Sequence, residues 1–234
     1  MNLCFHHVPK TAGSSLQLRL CHREWIGELD KGSTLVVTPF ANSTTLYRVS
    51  EDLEFSPNEP ITAGFRRRLG ITKPGEARIV MGHLTTIHQK GDHYTWLRHP
   101  LERDISHWRY DYKNGKALGD TYQQHLRKIG PNFYVAWFWQ HYMGRRGGAA
   151  TMDEAFEEIC KQLKKFKRIY NHNDFEKSWD DICEMLNISK EPRLNTNVST
   201  DNFIDNIPQD FKDWHREKNK LDYYIYENFV DYSS

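Results

Sequence analysis

The segment from Phe5 to Ser15, Phe-His-His-Val-Pro-Lys-Thr-Ala-Gly-Ser-Ser, constrains the fold of this chain more than any other stretch. Its residue types predict a short strand, a tight turn that carries one lysine, and the start of a helix. Backbone N–H groups of such a turn and of a helix N-terminus converge on an oxyanion, and Lys10 adds a full positive charge. The segment departs from the Walker A pattern because Lys10 precedes Gly13. We therefore expect a phosphate-type ligand but not an ordinary ATPase.

Short apolar runs alternate along the chain with segments of helical periodicity. Strands are predicted over 3–7, 34–38, 77–81, 94–97 and 167–170. Helices are predicted over 14–22, 59–69, 100–113, 175–186 and 211–229, and a capping box at Thr151 opens another. Strands that alternate with helices indicate an α/β fold with a central, mainly parallel sheet flanked by helices. The length of 234 residues suits one domain, predicted to span 1–234.

Charge and hydropathy argue against two classes of protein. The net charge of +1 at pH 7 does not suggest a general nucleic-acid binder. No apolar run approaches the roughly 18 residues of a membrane helix, so no membrane span is expected. The chain does not open with a basic region followed by an apolar one, and we therefore expect a soluble, cytoplasmic protein.

The four cysteines show no metal-ligand spacing with one another or with histidine, and no metal is expected.

A second site-like segment runs from Thr95 to His107, Thr-Trp-Leu-Arg-His-Pro-Leu-Glu-Arg-Asp-Ile-Ser-His. Arg98 stands at the end of a predicted strand, at the edge where open α/β sheets bind ligands. Ser106 lies within the helix that is predicted to start at Pro100. An arginine fork and a hydroxyl can together hold a second phosphate. Taken alone, the segment also fits a simpler interpretation, in which Arg98 is an ion-pair partner.

Together the two segments resemble motifs of the sulfotransferases that use 3′-phosphoadenosine-5′-phosphosulfate (PAPS). The likeness is greatest to the carbohydrate branch, which includes the heparan sulfate 2-O- and 6-O-sulfotransferases. The spacing from Arg98 to Ser106 matches the family's Arg–Ser pair, and residues 221–226 resemble its C-terminal Asp-x-x-Leu-Tyr helix. The likeness is weak over 23–76, and His99 stands where relatives commonly have aspartate.

The resemblance implies a P-loop-kinase-like three-layer fold with two phosphate sites. Arg98 and Ser106 are implied to bind the 3′-phosphate. Asn197 and Ser199 are implied to contact the nucleotide from a late loop, although a plain turn-rich connection is an alternative there. PAPS is then the donor, adenosine 3′,5′-bisphosphate (PAP) is the product, and no metal is required. The loop that binds the 5′-phosphosulfate is implied to consist of Pro9, Lys10, Thr11, Ala12, Gly13, Ser14 and Ser15.

The implied reaction moves a sulfuryl group to an acceptor hydroxyl, with the attacking and leaving oxygens in line. Lys10 is expected to stabilise the charge that builds on the bridging oxygen. A general base must take the proton of the acceptor. The candidate is His83, which follows a predicted strand and resembles the Gly-His segment of the 2-O-sulfotransferases. The competing histidines are His88, His93 and His107, and Glu102 is a poorer choice because it is expected to face solvent.

The acceptor is expected to be a hydroxylated small molecule, and the resemblance favours a glycan. Aromatic residues between Phe133 and Tyr142 can stack on sugar faces, although such a stripe is more often part of a core. A small-molecule kinase of related fold stays open as an alternative, but it would need a lysine after Gly13 and a carboxylate pair for Mg²⁺. A non-catalytic nucleotide-binding protein is the other alternative. If the chain is a trimmed domain of a membrane-tethered enzyme, the Golgi lumen replaces the cytoplasm as the expected location.

Overall fold

The computed structural model describes residues 3–11, 13–29, 34–40, 43–48, 79–83, 85, 87, 90–142, 151–191 and 203–231. The helix predicted over 59–69 lies outside these ranges. The chain groups into two compact units. The first consists of Met1–Trp96, Phe166–Val198 and Tyr232–Ser234, and the second of Leu97–Lys165 and Ser199–Asp231. The expectation of a single domain over 1–234 stays a prediction.

A sheet of six strands, counted within the described residues, is the main feature of the first unit. The strands lie in the order β3-β2-β4-β1-β5-β6. β1 runs parallel to β4 and β5, β2 runs parallel to β4, and β3 pairs antiparallel with β2. The predicted α/β class, with a central and mainly parallel sheet flanked by helices, is therefore confirmed. The strands are β1 (Leu3–His6), β2 (Thr34–Phe40), β3 (Ser43–Arg48), β4 (Ile79–Gly82), β5 (Asp92–Leu97) and β6 (Arg168–Asn171).

The inner position of β1 explains why its first three residues, 3–5, are apolar. Every residue of β1 and of β4 is buried, as expected for strands covered on both faces. In the register of the sheet, His6 at the end of β1 is level with Gly82 at the end of β4. Because the two strands are parallel, the segments that follow them leave the sheet at the same edge. This edge carries the predicted anion turn and the candidate base.

The helices divide between the two units. The first unit contains α1 (Gly13–Trp25) and α6 (Phe175–Leu186), and the second contains the others. Leu16 of α1 and Trp179 of α6 share one core cluster with Phe5 of the sheet. This packing holds the start of α1 beside the end of β1. The helices of the second unit are α2 (Pro100–Lys113), α3 (Tyr122–Lys128), α4 (Phe133–Tyr142), α5 (Met152–Leu163), α7 (Gln209–Lys218) and α8 (Lys220–Phe229).

Two helix boundaries in the second unit test the sequence predictions. The capping box at the start of α5 is confirmed: Thr151 Oγ1 accepts the N–H of Glu154, and the Glu154 carboxylate accepts the N–H of Thr151. The single helix predicted over 211–229 is wrong, because Asn219 separates α7 from α8. The side-chain amide of Asn219 donates to the His215 carbonyl at 2.9 Å, and its oxygen accepts the N–H of Asn132 at 2.9 Å. Such side-chain bonds compete with a helical backbone.

Candidate functional site

The predicted anion turn joins β1 to α1 in the first unit. The hydroxyl of Thr11 donates to the Val8 carbonyl at 2.8 Å, and the N–H of Val8 donates to the His6 carbonyl at 3.2 Å. Lys10 adopts a left-handed conformation with φ 69°, which few residues other than glycine adopt. These features fold the chain back on itself between the strand and the helix. The turn therefore has the strand–turn–helix form that the sequence predicts, with Lys10 at its bend.

Gly13, the first residue of α1, lies directly against the imidazole ring of His7. A Cβ atom added at Gly13 would overlap the atoms of that ring. The close approach of helix and ring therefore requires glycine at this position. Ser15, one of the predicted loop residues, is buried in the first turn of α1. Pro9 lies in the turn itself. Ala12 and the Ser14 side chain lie outside what the structure describes.

His83 lies beside this turn, immediately after β4. Its Nδ1 atom is 2.7 Å from the backbone carbonyl oxygen of His7, and the two imidazole rings stack with centroids 4.1 Å apart and planes at 20°. The N–H of His7 donates to the Gly82 carbonyl at 3.1 Å, which continues the pairing of β1 with β4. A carbonyl can only accept, so Nδ1 of His83 carries the proton. In the neutral ring the lone pair is then on Nε2, which can accept a proton.

The charge of this part of the site is carried by Lys10 rather than by His7. The pKa of His7 lies well below its ordinary value, chiefly because the surrounding protein desolvates the ring. Charges on His83 and Lys10 lower it further. His7 is therefore neutral near pH 7. The turn presents one cationic amine next to a pair of stacked imidazoles.

His93, a competing candidate for the general base, contacts His6 rather than the turn of Lys10. Its Nδ1 atom lies 2.8 Å from Nε2 of His6, which is fully buried at the end of β1. The pKa of His6 is also lowered well below its ordinary value, first by burial and then by the nearby His93. This pair packs against Phe166. His88, another candidate, lies outside the described residues, and His107 belongs to the second unit.

Arg98 and Ser106, the predicted 3′-phosphate pair, belong to the second unit. Arg98 precedes α2, and its Nε donates at 3.1 Å to the carboxylate of Glu102 in the first turn of that helix; both side chains are half-buried. The Tyr134 hydroxyl donates to the Arg98 carbonyl at 2.6 Å and accepts the Arg98 N–H at 3.2 Å. Ser106 is half-buried within α2. The ion-pair interpretation of Arg98 thus describes a real contact, and Glu102 is that partner.

The structure brings together some of the predicted residues and leaves others as predictions. In the first unit, His7 contacts both Gly13 and His83, and Lys10 lies in the same turn as His7. That Arg98 and Ser106 bind the same nucleotide as Lys10 stays a prediction from the motifs. Asn197 and Ser199 lie outside the described residues. Sequence reasoning did not assign a role to His7, although its position in the same motif as Lys10 was a signal.

Glu102 and Tyr134 are the corresponding omissions in the second unit. The ion pair of Arg98 with Glu102 could have been considered from their i,i+4 spacing, although Arg98 lies before the first residue of α2. Tyr134 was placed in an aromatic cluster without a specific partner. Its two hydrogen bonds to the backbone of Arg98 have no local sequence signal, because they join residues far apart in the chain.

Two features of the described residues bear on metal binding and on membrane insertion. In those ranges no group of three or more histidine, cysteine, aspartate or glutamate side chains is arranged to hold a metal ion. None of the helices that the structure describes combines the length and apolar character needed to cross a bilayer.

Comparison with known proteins gives one structural likeness. No family model matches the sequence, and no curated protein matches it. The chain is similar to the crystal structure of a sulfotransferase from Alicyclobacillus acidocaldarius, with a TM-score of 0.42 and 12% sequence identity. The likeness covers 99% of this chain and 98% of that one.

Proposed function

We propose that this protein is a PAPS-dependent O-sulfotransferase. The observation that carries the proposal is the 2.7 Å contact between His83 Nδ1 and the His7 carbonyl, beside the turn of Lys10. It combines a ring that can accept a proton with a cationic turn that can hold an oxyanion. The identity of the donor rests on the resemblance of the two motifs to those of PAPS-dependent sulfotransferases.

The turn after β1 fits the phosphosulfate end of such a donor. Lys10 supplies a positive charge at the bend, and Gly13 allows the helix start to approach closely. PAPS supplies an activated sulfuryl group whose leaving group is a phosphate. Lys10 and the N–H groups at the start of α1 stabilise the negative charge that develops on the oxygen that leaves sulfur.

His83 is the proposed general base. With the proton on Nδ1 held by the His7 carbonyl, Nε2 takes the proton of the acceptor hydroxyl. The acceptor oxygen forms a bond to sulfur while the bond from sulfur to the bridging oxygen breaks. The products are a sulfate ester, PAP and a protonated His83, which returns its proton to solvent. In this scheme, residues of this protein supply the positive charge that faces the donor and the group that accepts the proton.

Arg98 and Ser106 are proposed to hold the 3′-phosphate. The guanidinium of Arg98 has five N–H groups in a planar fork, and Nε is directed at Glu102. The remaining donors suit a phosphate, and Glu102 fixes the plane of the fork. Asn197 and Ser199 are proposed to contact the same nucleotide. The proposed acceptor is a glycan hydroxyl, on the basis of the resemblance to the heparan sulfate enzymes.

The direct experiment is incubation of the full chain with PAPS and a mixed library of glycans and alcohols. Mass spectrometry then detects the added sulfate, and calorimetry compares the binding of PAP with that of ATP–Mg²⁺. Lys10→Ala and His83→Ala are each expected to lower the turnover rate by about 10²-fold or more. Lys116→Ala is the matched control, because Lys116 is exposed in the second unit.

Two results would replace this proposal by one of its alternatives. Tight binding of ATP–Mg²⁺ with phosphate transfer, in place of PAP binding, would identify a kinase. PAP binding without sulfated product across the library would identify a non-catalytic nucleotide-binding protein. Normal turnover by Lys10→Ala would remove the role given to Lys10, and normal turnover by His83→Ala would assign the base elsewhere.

A further inference from the structure

His7 touches three parts of the candidate site at once. Its N–H donates to Gly82, the residue before His83, and its carbonyl accepts from His83 Nδ1. Its ring stacks on the ring of His83 and fills the space beside Gly13 at the start of α1. One residue therefore connects the end of β4, the candidate base and the helix that follows the lysine turn.

We propose that His7 is a positioning residue for the base: its carbonyl selects the Nδ1–H tautomer of His83, and its ring fixes the plane of the His83 imidazole. The inference rests on the proposed function, in which His83 takes the proton of the acceptor. It adds a role for a residue to which the proposed reaction gives none.

The ring is needed because the hydrogen bond alone leaves one motion open. A single bond from Nδ1 to a carbonyl allows the imidazole to rotate about the line that joins the two atoms. Stacking at 4.1 Å with planes only 20° apart removes that rotation, because tilting the ring breaks the ring–ring contact. Together the two contacts give Nε2 a fixed direction. A general base must point at the proton that it removes.

His7 itself is held in place from two sides. Its backbone is anchored by the N–H bond to the Gly82 carbonyl at 3.1 Å, which follows directly from the pairing of β1 with β4. Its ring is bounded by Gly13, where any side chain would displace it. A support that is itself immobile transmits its geometry to the group that it supports.

The neutral state of His7 suits this role. A protonated His7 would place a second positive charge beside Lys10 and a like charge against His83. Desolvation lowers the pKa of His7 most, and His83 and Lys10 lower it further, so the ring stays uncharged. An uncharged ring can stack on His83 without opposing the positive charge that His83 acquires when it takes a proton.

The first test is ¹⁵N NMR of histidine-labelled full-length protein, with the His83 signals assigned by their loss in His83→Gln. The wild-type protein is expected to show the Nδ1–H tautomer at His83. In His7→Ala the backbone carbonyl remains, so the Nδ1–H tautomer is expected to persist, but NMR relaxation of the His83 ring is expected to show motion that the wild type lacks. In His7→Phe, which keeps a stacked ring, the His83 ring is expected to stay ordered. An Nε2–H tautomer in the wild type would overturn the proposal, and so would unchanged order of the His83 ring in His7→Ala.

Kinetics provide the second test. In His7→Ala the turnover number is expected to fall by roughly 10- to 100-fold while the affinity for PAP is unchanged. His7→Phe is expected to restore most of the turnover. His172→Ala is the control, because His172 is a histidine of the same unit that lies in a short 3-10 helix after β6 and has no role in the proposed site. An equal loss of turnover and PAP affinity in His7→Ala would indicate a structural role and contradict the proposal.

The design separates this inference from the function on which it rests. If the NMR signatures behave as expected but no acceptor is sulfated, the positioning of His83 stands and the proposed function fails. If sulfation occurs and His7→Ala leaves the order of the His83 ring unchanged, the function stands and the positioning role fails. His7→Leu, which retains buried volume without a planar ring, replaces His7→Ala if that variant does not fold, and the same signatures are expected from it.

Discussion

The Asp222 carboxylate accepts the backbone N–H of Tyr134 with both of its oxygens, at 3.0 and 2.9 Å, and the N–H of Val135 at 3.2 Å. These are N–H groups of the first turn of α4, which have no partner within the helix. Asp222 lies on α8 and is almost completely buried. A residue distant in sequence therefore caps α4. Tyr134, in turn, holds the backbone of Arg98 through its hydroxyl.

Replacement of Asp222 is expected to destabilise the second unit. Asp222→Ala leaves several buried N–H groups without an acceptor, and we expect a loss of roughly 2–3 kcal/mol of unfolding free energy. Asp222→Asn keeps one oxygen acceptor and is expected to lose less. Chemical denaturation measures both variants. Equal stability of wild type and Asp222→Ala would show that the cap contributes nothing.

Substitution of Gly13 is expected to disrupt the candidate site more than the fold. In Gly13→Ala the new methyl group meets the ring of His7, which must move, and we expect a stability loss of about 1–3 kcal/mol. The movement also displaces the stacked His83, so that sulfuryl transfer falls further than stability predicts. The matched control is Gly130→Ala, because a Cβ atom there meets no other atom within 4 Å. Normal transfer by Gly13→Ala would contradict the proposed contact.

Local sequence signals predicted the form of the anion turn but not the contact between His7 and His83. Lys10 and Gly13 are close in the chain, and their order specifies a strand–turn–helix. The placement of His83 beside them was inferred from the parallel sheet, in which β1 and β4 end at one edge. The contact of His83 with His7 depends on the register of those two strands. Register arises from the whole sheet, so no local pattern could predict it.

In the fold, too, the elements with local sequence signals were predicted, and those that depend on residues distant in the chain were missed. The alternation of strands and helices predicted the α/β class, and the capping box at Thr151 predicted the start of α5. The antiparallel strand β3 was missed, and its polar sequence gives no alternating pattern of apolar residues. The break between α7 and α8 was missed because it depends on the bond of Asn219 to Asn132, a residue on another segment.

Arg19 of α1 is expected to depend strongly on Glu176 of α6. The arginine side chain is fully buried, and its two terminal nitrogens donate to the two oxygens of Glu176 at 3.1 and 2.5 Å. Glu176→Gln leaves the buried guanidinium without its counter-charge. Because Glu176 is partly exposed, we expect a loss of about 1–3 kcal/mol, less than for a fully buried pair. A double-mutant cycle with Arg19→Met measures the coupling, and additive effects would contradict it.

Acid is expected to unfold the protein in a range set by its buried histidines. His215 donates from Nε2 to Asp104 and accepts from Tyr223 at Nδ1, and burial lowers its pKa from 6.5 to about 4. Between these values the unfolded chain binds a proton that the folded protein does not. The contribution of His215 to the free energy of unfolding is therefore fully present above pH 6.5. It decreases as the pH falls toward 4, by up to about 1.4 kcal/mol per pH unit.

Other groups modify this pH dependence in predictable directions. His6 and His7 have lowered pKa values for the same reason, so they add to the loss in acid. Burial raises the pKa of Asp222 to about 7 from 3.8, so this carboxyl has the opposite effect between those values. The loss of unfolding free energy from the three histidines exceeds the gain from the one carboxyl. Denaturation at a series of pH values is expected to show lower stability at pH 5 than at pH 7, with a shallower slope in His215→Gln. A flat profile would contradict the assignment.

Loss of Arg98 is expected to weaken binding of one class of nucleotide only. A charge-assisted hydrogen bond contributes about 1.5–3 kcal/mol, so Arg98→Ala should lower PAP affinity by roughly 10- to 100-fold. Adenosine 5′-monophosphate has no 3′-phosphate, and its affinity should not change. Calorimetry with both nucleotides distinguishes a 3′-phosphate contact from a general effect on the site.

Controls for Arg98→Ala follow from its neighbours in the second unit. Glu102→Gln removes the carboxylate that fixes the Arg98 fork, and a smaller loss of PAP affinity is expected because the donors remain but are less ordered. Arg127→Ala removes an exposed arginine that packs on Trp214, and it should leave both affinities unchanged. An equal loss of affinity for PAP and the monophosphate in Arg98→Ala would assign Arg98 a structural role. The 3′-phosphate would then have to be held by other residues.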